Sequence, residues 1–141
     1  MKTIKFMLFW ILSCTWGAIM TIIGLITALF LIIKGYKPHV FHYSIYFQVG
    51  SNWGGINLGA VFITSTTAEP RILQHEAGHG IQNIVLGPLM PFLVGIPSIT
   101  RFHYRKYLEN HNKAHTLPPY DSIWFEGQAT RIGTKLFSIG E

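Results

Sequence analysis

The 141-residue chain has one cysteine, Cys14, so no internal disulfide can form. Acids are scarce, six against eleven lysines and arginines, which leaves a formal charge of +5. No internal repeat and no low-complexity linker interrupts the sequence. Charge is missing altogether from residues 6–33 and again from residues 80–100. These absences exclude a disulfide framework and a repeat array, and they direct attention to the uncharged runs.

The first run, "FMLFWILSCTWGAIMTIIGLITALFLII", covers 28 positions. A bilayer core of about 30 Å needs about 20 apolar residues, and this run would be about 42 Å long as a helix. It predicts an N-terminal transmembrane helix, tilted or with one end in the headgroups. On this reading residues 1–37 form an anchor and residues 38–141 the domain. The run is long for a cleaved signal and ends in no A-x-A site. "ILSC" around Cys14 resembles a lipoprotein cleavage box, but a very short apolar stretch precedes it and an equally apolar one follows. Lys2 and Lys5 stand before the run and Lys34 and Lys37 after it, so lysine counts do not orient it. Basic residues at those places meet anionic lipid, and the high pI therefore does not point to nucleic acid.

About 105 residues remain, enough for one modest core. "HVFHYSIYFQV" (39–49) and "INLGAVFITS" (56–65) are rich in aromatic and β-branched residues, with "GSNWGG" between them, and predict a hairpin. A helix is expected from about Pro70 to Gly87-Pro88. Residues 87–97 carry three prolines and two glycines and cannot form one regular helix. They read either as a broken membrane segment or as an apolar wall on the domain. A helix from Ser98, with the serine as N-cap, and a last helix over 121–137, capped by Asp121, complete an α+β chain with two or three helices beyond the anchor. Trp124 is expected in the core beneath that last helix. The cluster "RFHYRKY" (101–107) reads as a solvated or membrane-facing helix rather than a nucleic-acid patch.

The chemistry concentrates in "ILQHEAGHGIQN", residues 72–83. His75 and His79 are four apart, hence on one face of a helix, and can aim two imidazoles at one ion. Glu76 follows the first histidine directly, where it can act as a general base beside the metal. Two glycines in a helix, Gly78 and Gly80, each cost about 1 kcal/mol relative to alanine and call for an explanation, here expected to be room at the metal. A catalytic zinc wants a third protein ligand and an open position. The extended motif with glycine and a third histidine is absent, since Gln82 and Val85 hold those places. His103, Glu109, His111, His115, Asp121 and Glu126 are the available ligands. Glu126 has the best setting, because Ala129, Thr130 and Gly133 share its face and a stripe of small residues lets two helices approach closely. His103, Tyr104, Tyr107, Tyr120 and Arg131 are candidate donors to a developing oxyanion.

At these residues the sequence resembles the gluzincin branch of zinc metallopeptidases, in which HExxH is followed by a glutamate on a downstream helix. More closely, "NWGG…HEAGHGIQN…GP…PF…GIPS…YDSIWFEGQATRIG" resembles small bacterial membrane-anchored proteins of that type. The resemblance covers nearly all of the chain. It implies a zincin-like domain at the bacterial cell membrane, with Zn2+ held by His75, His79 and Glu126 and with Glu76 as catalytic base. It implies that the strand from Ile56, with Asn57, Leu58, Gly59 and Ala60, is an edge that pairs with an extended peptide, which can be a segment of a membrane protein. Thr130 stands where larger relatives often carry an acid that orients a histidine ligand. Two alternatives remain. One is an intramembrane protease with Asp121 as third ligand. The other is a non-catalytic membrane protein in which a structural or degenerate zinc site, or a polar helix pair, only holds the fold.

Overall fold

The computed structural model describes residues 2–139. The chain is α+β: α1 (Lys2–Cys14), α2 (Ala18–Ile33), β1 (His39–Phe41), β2 (Ser44–Gln48), β3 (Gly55–Leu58), β4 (Val61–Thr64), α3 (Pro70–Leu86), α4 (Ile96–Asn110) and α5 (Trp124–Leu136), with short 3-10 or π turns between them.

The expected single transmembrane helix is not there. No single helix among the described residues is long and apolar enough to cross a membrane. The uncharged run breaks at Thr15–Gly17, and α1 and α2 meet at a bend of 99°. The break has local and tertiary causes. Thr15 Oγ1 donates to the Ile11 carbonyl at 2.7 Å, a back-bond that bends helices. Trp16 Nε1 donates to the Val85 carbonyl on α3 at 3.4 Å. Gly17 lies so close to Asn83 of α3 that a Cβ there would collide with the amide.

Beyond the bend, α2 packs on the sheet instead of standing apart from it. Gly24 faces the Leu58 carbonyl, and Ala28 and Leu31 join Phe47 and Val61 in one buried cluster. Burying a Phe or Val side chain of this kind contributes about 1.5–3 kcal/mol. Met20 belongs to a second cluster with Met90, Val94 and Phe125. The opposite face of α2 exposes Ile22, Ile26, Leu29 and Ile33.

The sheet has the order β1-β2-β4-β3. The expected hairpin between 39–49 and 56–65 is two hairpins. Each predicted strand folds on itself, the first through His42 (φ 52°) and the second through Gly59 (φ 78°). β1 pairs antiparallel with β2, and β3 with β4. The two hairpins then join through β2 and β4, which run parallel. β3 is thus an edge strand carrying Ile56, Asn57 and Leu58. Gly59 and Ala60 are not part of that edge; they form the buried turn, and the Ala60 carbonyl accepts from Ile45 N.

α3 follows the sheet as expected, with Pro70 in its first turn. Residues 87–97 do avoid a regular helix: a 3-10 turn (Gly87–Leu89) and a π turn (Pro91–Gly95) lead into α4. α4 starts at Ile96, so Ser98 lies inside the helix and is not its N-cap. α5 starts at Trp124, with no side-chain cap, and Asp121 sits in a 3-10 turn before it. Trp124 is 53% exposed; the buried positions of α5 are Phe125, Glu126, Ala129 and Gly133.

Candidate metal centre

α3 and α5 cross at close range because small residues face backbone. A Cβ on Gly78 would strike the Ala129 carbonyl, and one on Gly133 would strike the Gln74 carbonyl. The small stripe on α5 thus performs the part expected of it. Gly78 and Gly80 do not serve as expected: they admit α5 and the β3–β4 turn, with Gly80 facing the Gly59 carbonyl, rather than making room at the metal.

This approach brings His75, His79 and Glu126 together in a group that could hold a metal ion. His75 Nε2 and His79 Nε2 are 3.2 Å apart, and Glu126 Oε2 is 3.0 and 3.1 Å from them. Ligand atoms about 3.3 Å apart are what a tetrahedral ion with bonds near 2.0 Å requires. The surroundings fix which ring nitrogen is free. Thr130 Oγ1 donates to the acceptor-only carboxylate of Asp121 at 2.9 Å, so it accepts from His75 Nδ1 at 2.8 Å. Gln82 Nε2 donates to the Phe125 carbonyl and to Gln128 Oε1, each at 2.8 Å, so Gln82 Oε1 accepts from His79 Nδ1 at 2.7 Å. Both Nδ1 atoms therefore carry hydrogen, and both Nε2 lone pairs converge on Glu126. Three electron-rich atoms at this range repel unless a cation joins them, either a metal or a proton on one ring. The donor set fits a divalent ion of the zinc type.

The electrostatics agree. Burial pushes the His75 pKa down, but Glu126 as hydrogen-bond partner, with the charges of Glu76, Glu126 and Asp121, raises it overall. Burial pushes Glu126 up, yet contacts with His75, His79 and Ser98 outweigh it and hold the carboxyl well below the usual range. The remaining oxygen of Glu126, Oε1, accepts from Ser98 Oγ at 2.6 Å and from Tyr120 Oη at 3.4 Å.

Glu76 is buried beside the group, and its Oε2 has no hydrogen-bond partner. Burial raises its pKa, with the two histidines pulling the other way. The space it occupies exists because residue 55 is glycine; a Cβ there would lie 2.6 Å from Glu76 Oε1. Asn57 Nδ2 donates to the Glu76 carbonyl at 2.9 Å and ties β3 to α3. A cavity of about 230 Å³ opens over Glu76, His75 and His79, bordered by β3 and the start of α4.

Among the other candidates, Tyr120 lines this cavity, and burial, with Glu126 nearby, pushes its pKa up to about 12. Arg101 and Arg105 hold its loop: Arg101 Nη2 donates to the Pro119 and Tyr120 carbonyls, Arg105 Nη1 to that of Pro118, and both guanidinium groups lie over its ring. The "RFHYRKY" arginines are thus loop clamps. His103 also lines the cavity, without a hydrogen bond to the group. Arg131 is exposed on α5 and lies outside the lining, and Glu109, His111 and His115 are likewise exposed and are not members of the group. Asp121 lies outside the group and accepts from Thr130 Oγ1. Ser98 and Gln82 were not legible as site residues. Gln82 carried a faint signal, one turn beyond His79, while Ser98 carried none. Set against known proteins, the chain matches no family model, no curated protein and no solved structure.

Proposed function

We propose that the protein is a zinc-dependent metallopeptidase of the gluzincin kind. The observation that carries this reading is the convergence of His75, His79 and Glu126 beside Glu76, a buried residue on the cavity wall whose Oε2 has no hydrogen-bond partner. A site meant only to hold the fold would be closed by a fourth protein ligand.

Zinc bound there would supply Lewis acidity toward a carbonyl and bring the pKa of water toward about 7. Glu76 does the proton work: its raised pKa suits a base that takes a proton from water and later hands it to the leaving amine. The unpaired edge of β3 binds the substrate backbone as an added strand. Tyr120, protonated at neutral pH, donates to the oxyanion. Thr130 and Gln82 keep both imidazoles in the ligating tautomer.

The exposed apolar faces of α1 and α2 exceed the scattered apolar residues of an ordinary soluble surface. With Lys2, Lys5, Lys34 and Lys37 around them, they suit a bilayer into which the bent pair is set, and the substrate would be a peptide or membrane-protein segment near it. The test is metal content and peptide cleavage of the wild type and of Glu76→Gln. Retained zinc in both, with cleavage lost in the variant, is expected. A wild type without zinc sinks the reading, and zinc without cleavage by either form assigns the metal a structural role.

A further inference from the structure

Both uncharged runs bend sharply, and the two bends meet. α1 and α2 turn by 99° at Thr15–Gly17, and the α3 and α4 segments turn by 117° at Met90. Trp16 of the first elbow covers Gly87 of the second. Each elbow pairs a backbone group of the other: Trp16 Nε1 donates to the Val85 carbonyl at 3.4 Å, and Asn83 Nδ2 to the Gly17 carbonyl at 3.1 Å. Thr15 and Thr27 turn their hydroxyls onto carbonyls of their own helical segment. Every exposed residue between 80 and 99 is apolar, with Val85, Leu89, Phe92 and Ile96 all more than half exposed. Irregular backbone whose polar groups are paired inside the protein is the kind that hydrocarbon tolerates.

The arms lead back from the first elbow to positive charge. α1 begins at Lys2 and Lys5, Lys34 and Lys37 follow α2, and no acid occurs before Glu69. The fork between the arms is filled by the sheet: Trp10 Nε1 donates to the Tyr43 carbonyl at 2.9 Å, and Ala28 and Leu31 pack on Phe47 and Val61. The elbow thus points away from the sheet. Arms of 13 and 16 residues are about 20 and 24 Å long, and inclined by the bend they reach about 15–18 Å, roughly half of a bilayer core of about 30 Å. Stood upright as a span, the same V would hold the sheet and its unpaired edges at mid-bilayer, where open edges are not tolerated.

We propose that both elbows form one wedge that enters a single leaflet of an anionic bilayer and returns on the same side. The wedge rests on the bilayer being the partner of α1 and α2. Acyl chains then meet the elbows, and lipid phosphates meet Lys2, Lys5, Lys34 and Lys37. The depth also places the metal group. Gly80 faces the Phe9 ring and Gly87 the Trp16 ring, so seven residues along α3 match seven along the N-terminal segment, and the two run side by side. By the same step Lys5 stands level with Glu76, which sets the metal group at headgroup depth. On the peptidase reading, a substrate segment is taken at the surface, where it leaves the bilayer, and not from within it.

The experiment uses the full chain, whose one cysteine, Cys14, is exposed beside the first elbow. The chain is bound to vesicles of phosphatidylcholine and phosphatidylglycerol. An environment-sensitive fluorophore is placed on Cys14 or, in Cys14→Ser chains, on Phe92→Cys, Lys2→Cys or Lys37→Cys, and spin-labelled lipids read its depth. Positions 14 and 92 should both be dry and quenched best by labels deep in the acyl chains, with positions 2 and 37 at the headgroups. In sealed membrane vesicles of an expressing bacterium, prepared in both polarities, an impermeant maleimide should modify Lys2→Cys and Lys37→Cys in the same polarity and neither in the other. Omitting phosphatidylglycerol should weaken vesicle binding about tenfold or more. Phe92→Asp should do likewise, with the unfolding temperature unchanged. No vesicle binding by the wild type refutes the bilayer as partner, and the wedge with it. Binding with positions 2 and 37 modified in opposite polarities keeps the bilayer and overturns the wedge, since the chain then spans. A wet position 92 beside a dry position 14 overturns the joint wedge by removing its second elbow.

Discussion

Thr130 Oγ1 lies 2.8 Å from His75 Nδ1 and 2.9 Å from Asp121 Oδ2. A hydroxyl thus relays an exposed carboxylate to a half-buried imidazole, at the place where a direct acid would do the same job. The relay predicts a graded series. Thr130→Val keeps the shape and removes the relay, so metal affinity should fall about 10- to 100-fold, as for other groups behind a ligand. Thr130→Ser should restore most of it, and Asp121→Asn should fall between. Competition titration with a zinc chelator measures all three. Equal affinities across the series would mean that His75 needs no orienting partner.

Glu126 is the second test of the centre. It is fully buried, and Oε2 touches both imidazoles. Glu126→Gln preserves volume and removes the charge. The loss of zinc affinity should exceed the roughly 10- to 100-fold of an outer partner, because a ligand itself is changed. Asp121→Ala should retain more zinc than Glu126→Gln. The reverse order would reinstate the intramembrane alternative, in which Asp121 ligates.

How much of this was readable beforehand depended on the range of the interaction. His75, His79 and Glu76 were legible because helical spacing alone puts them on or beside one face. Glu126 was legible through Ala129 and Gly133, whose size announces a close neighbour. The bend at Thr15–Gly17 was not, since hydropathy is uniform across it, and beside the local Thr15 back-bond its causes are contacts of Gly17 and Trp16 with α3. The strand pairing was missed because its two turns, at His42 and Gly59, lie inside runs of uniform β propensity. Trp124 was misplaced by phase: the inward face of α5 runs through Phe125 and Ala129, which turns its neighbour outward.

The crossing of α3 and α5 can be tested at Gly78. Alanine there gains about 1 kcal/mol of helix propensity. It also drives a methyl into the Ala129 carbonyl, a backbone atom that cannot swing aside. Overpacking of this kind costs about 1–3 kcal/mol, so the collision should win. Thermal unfolding should occur at lower temperature, and zinc affinity should fall with it, since the same crossing sets the ligand spacing. A variant as stable as the wild type would show that the helices have slack.

Metal removal should be felt by the whole fold. The three side chains that could hold an ion come from α3 and α5, and their lone pairs crowd one another without a cation. Saturation at about 100 times the dissociation constant stabilises the folded state by about 2.7 kcal/mol. For a chain of this size that is roughly 5–15 °C in the unfolding midpoint. Differential scanning fluorimetry with and without a chelator reads the shift, and Glu126→Gln should show little of it. A midpoint indifferent to chelator in the wild type would argue against any metal joining these helices.

Tyr120 separates catalysis from metal binding. Its hydroxyl is 3.4 Å from Glu126 Oε1, and Ser98 at 2.6 Å is the closer donor to that oxygen. Tyr120 is therefore dispensable for holding Glu126, while Ser98 is not. If Tyr120 donates to the oxyanion, Tyr120→Phe should lower kcat about 100-fold or more with KM and zinc content little changed. Ser98→Ala should instead weaken zinc binding, because Glu126 loses its closest partner. A fall in zinc affinity for Tyr120→Phe, with the turnover of the loaded enzyme intact, would move Tyr120 from the reaction to the scaffold and leave His103 as the remaining donor on the cavity wall.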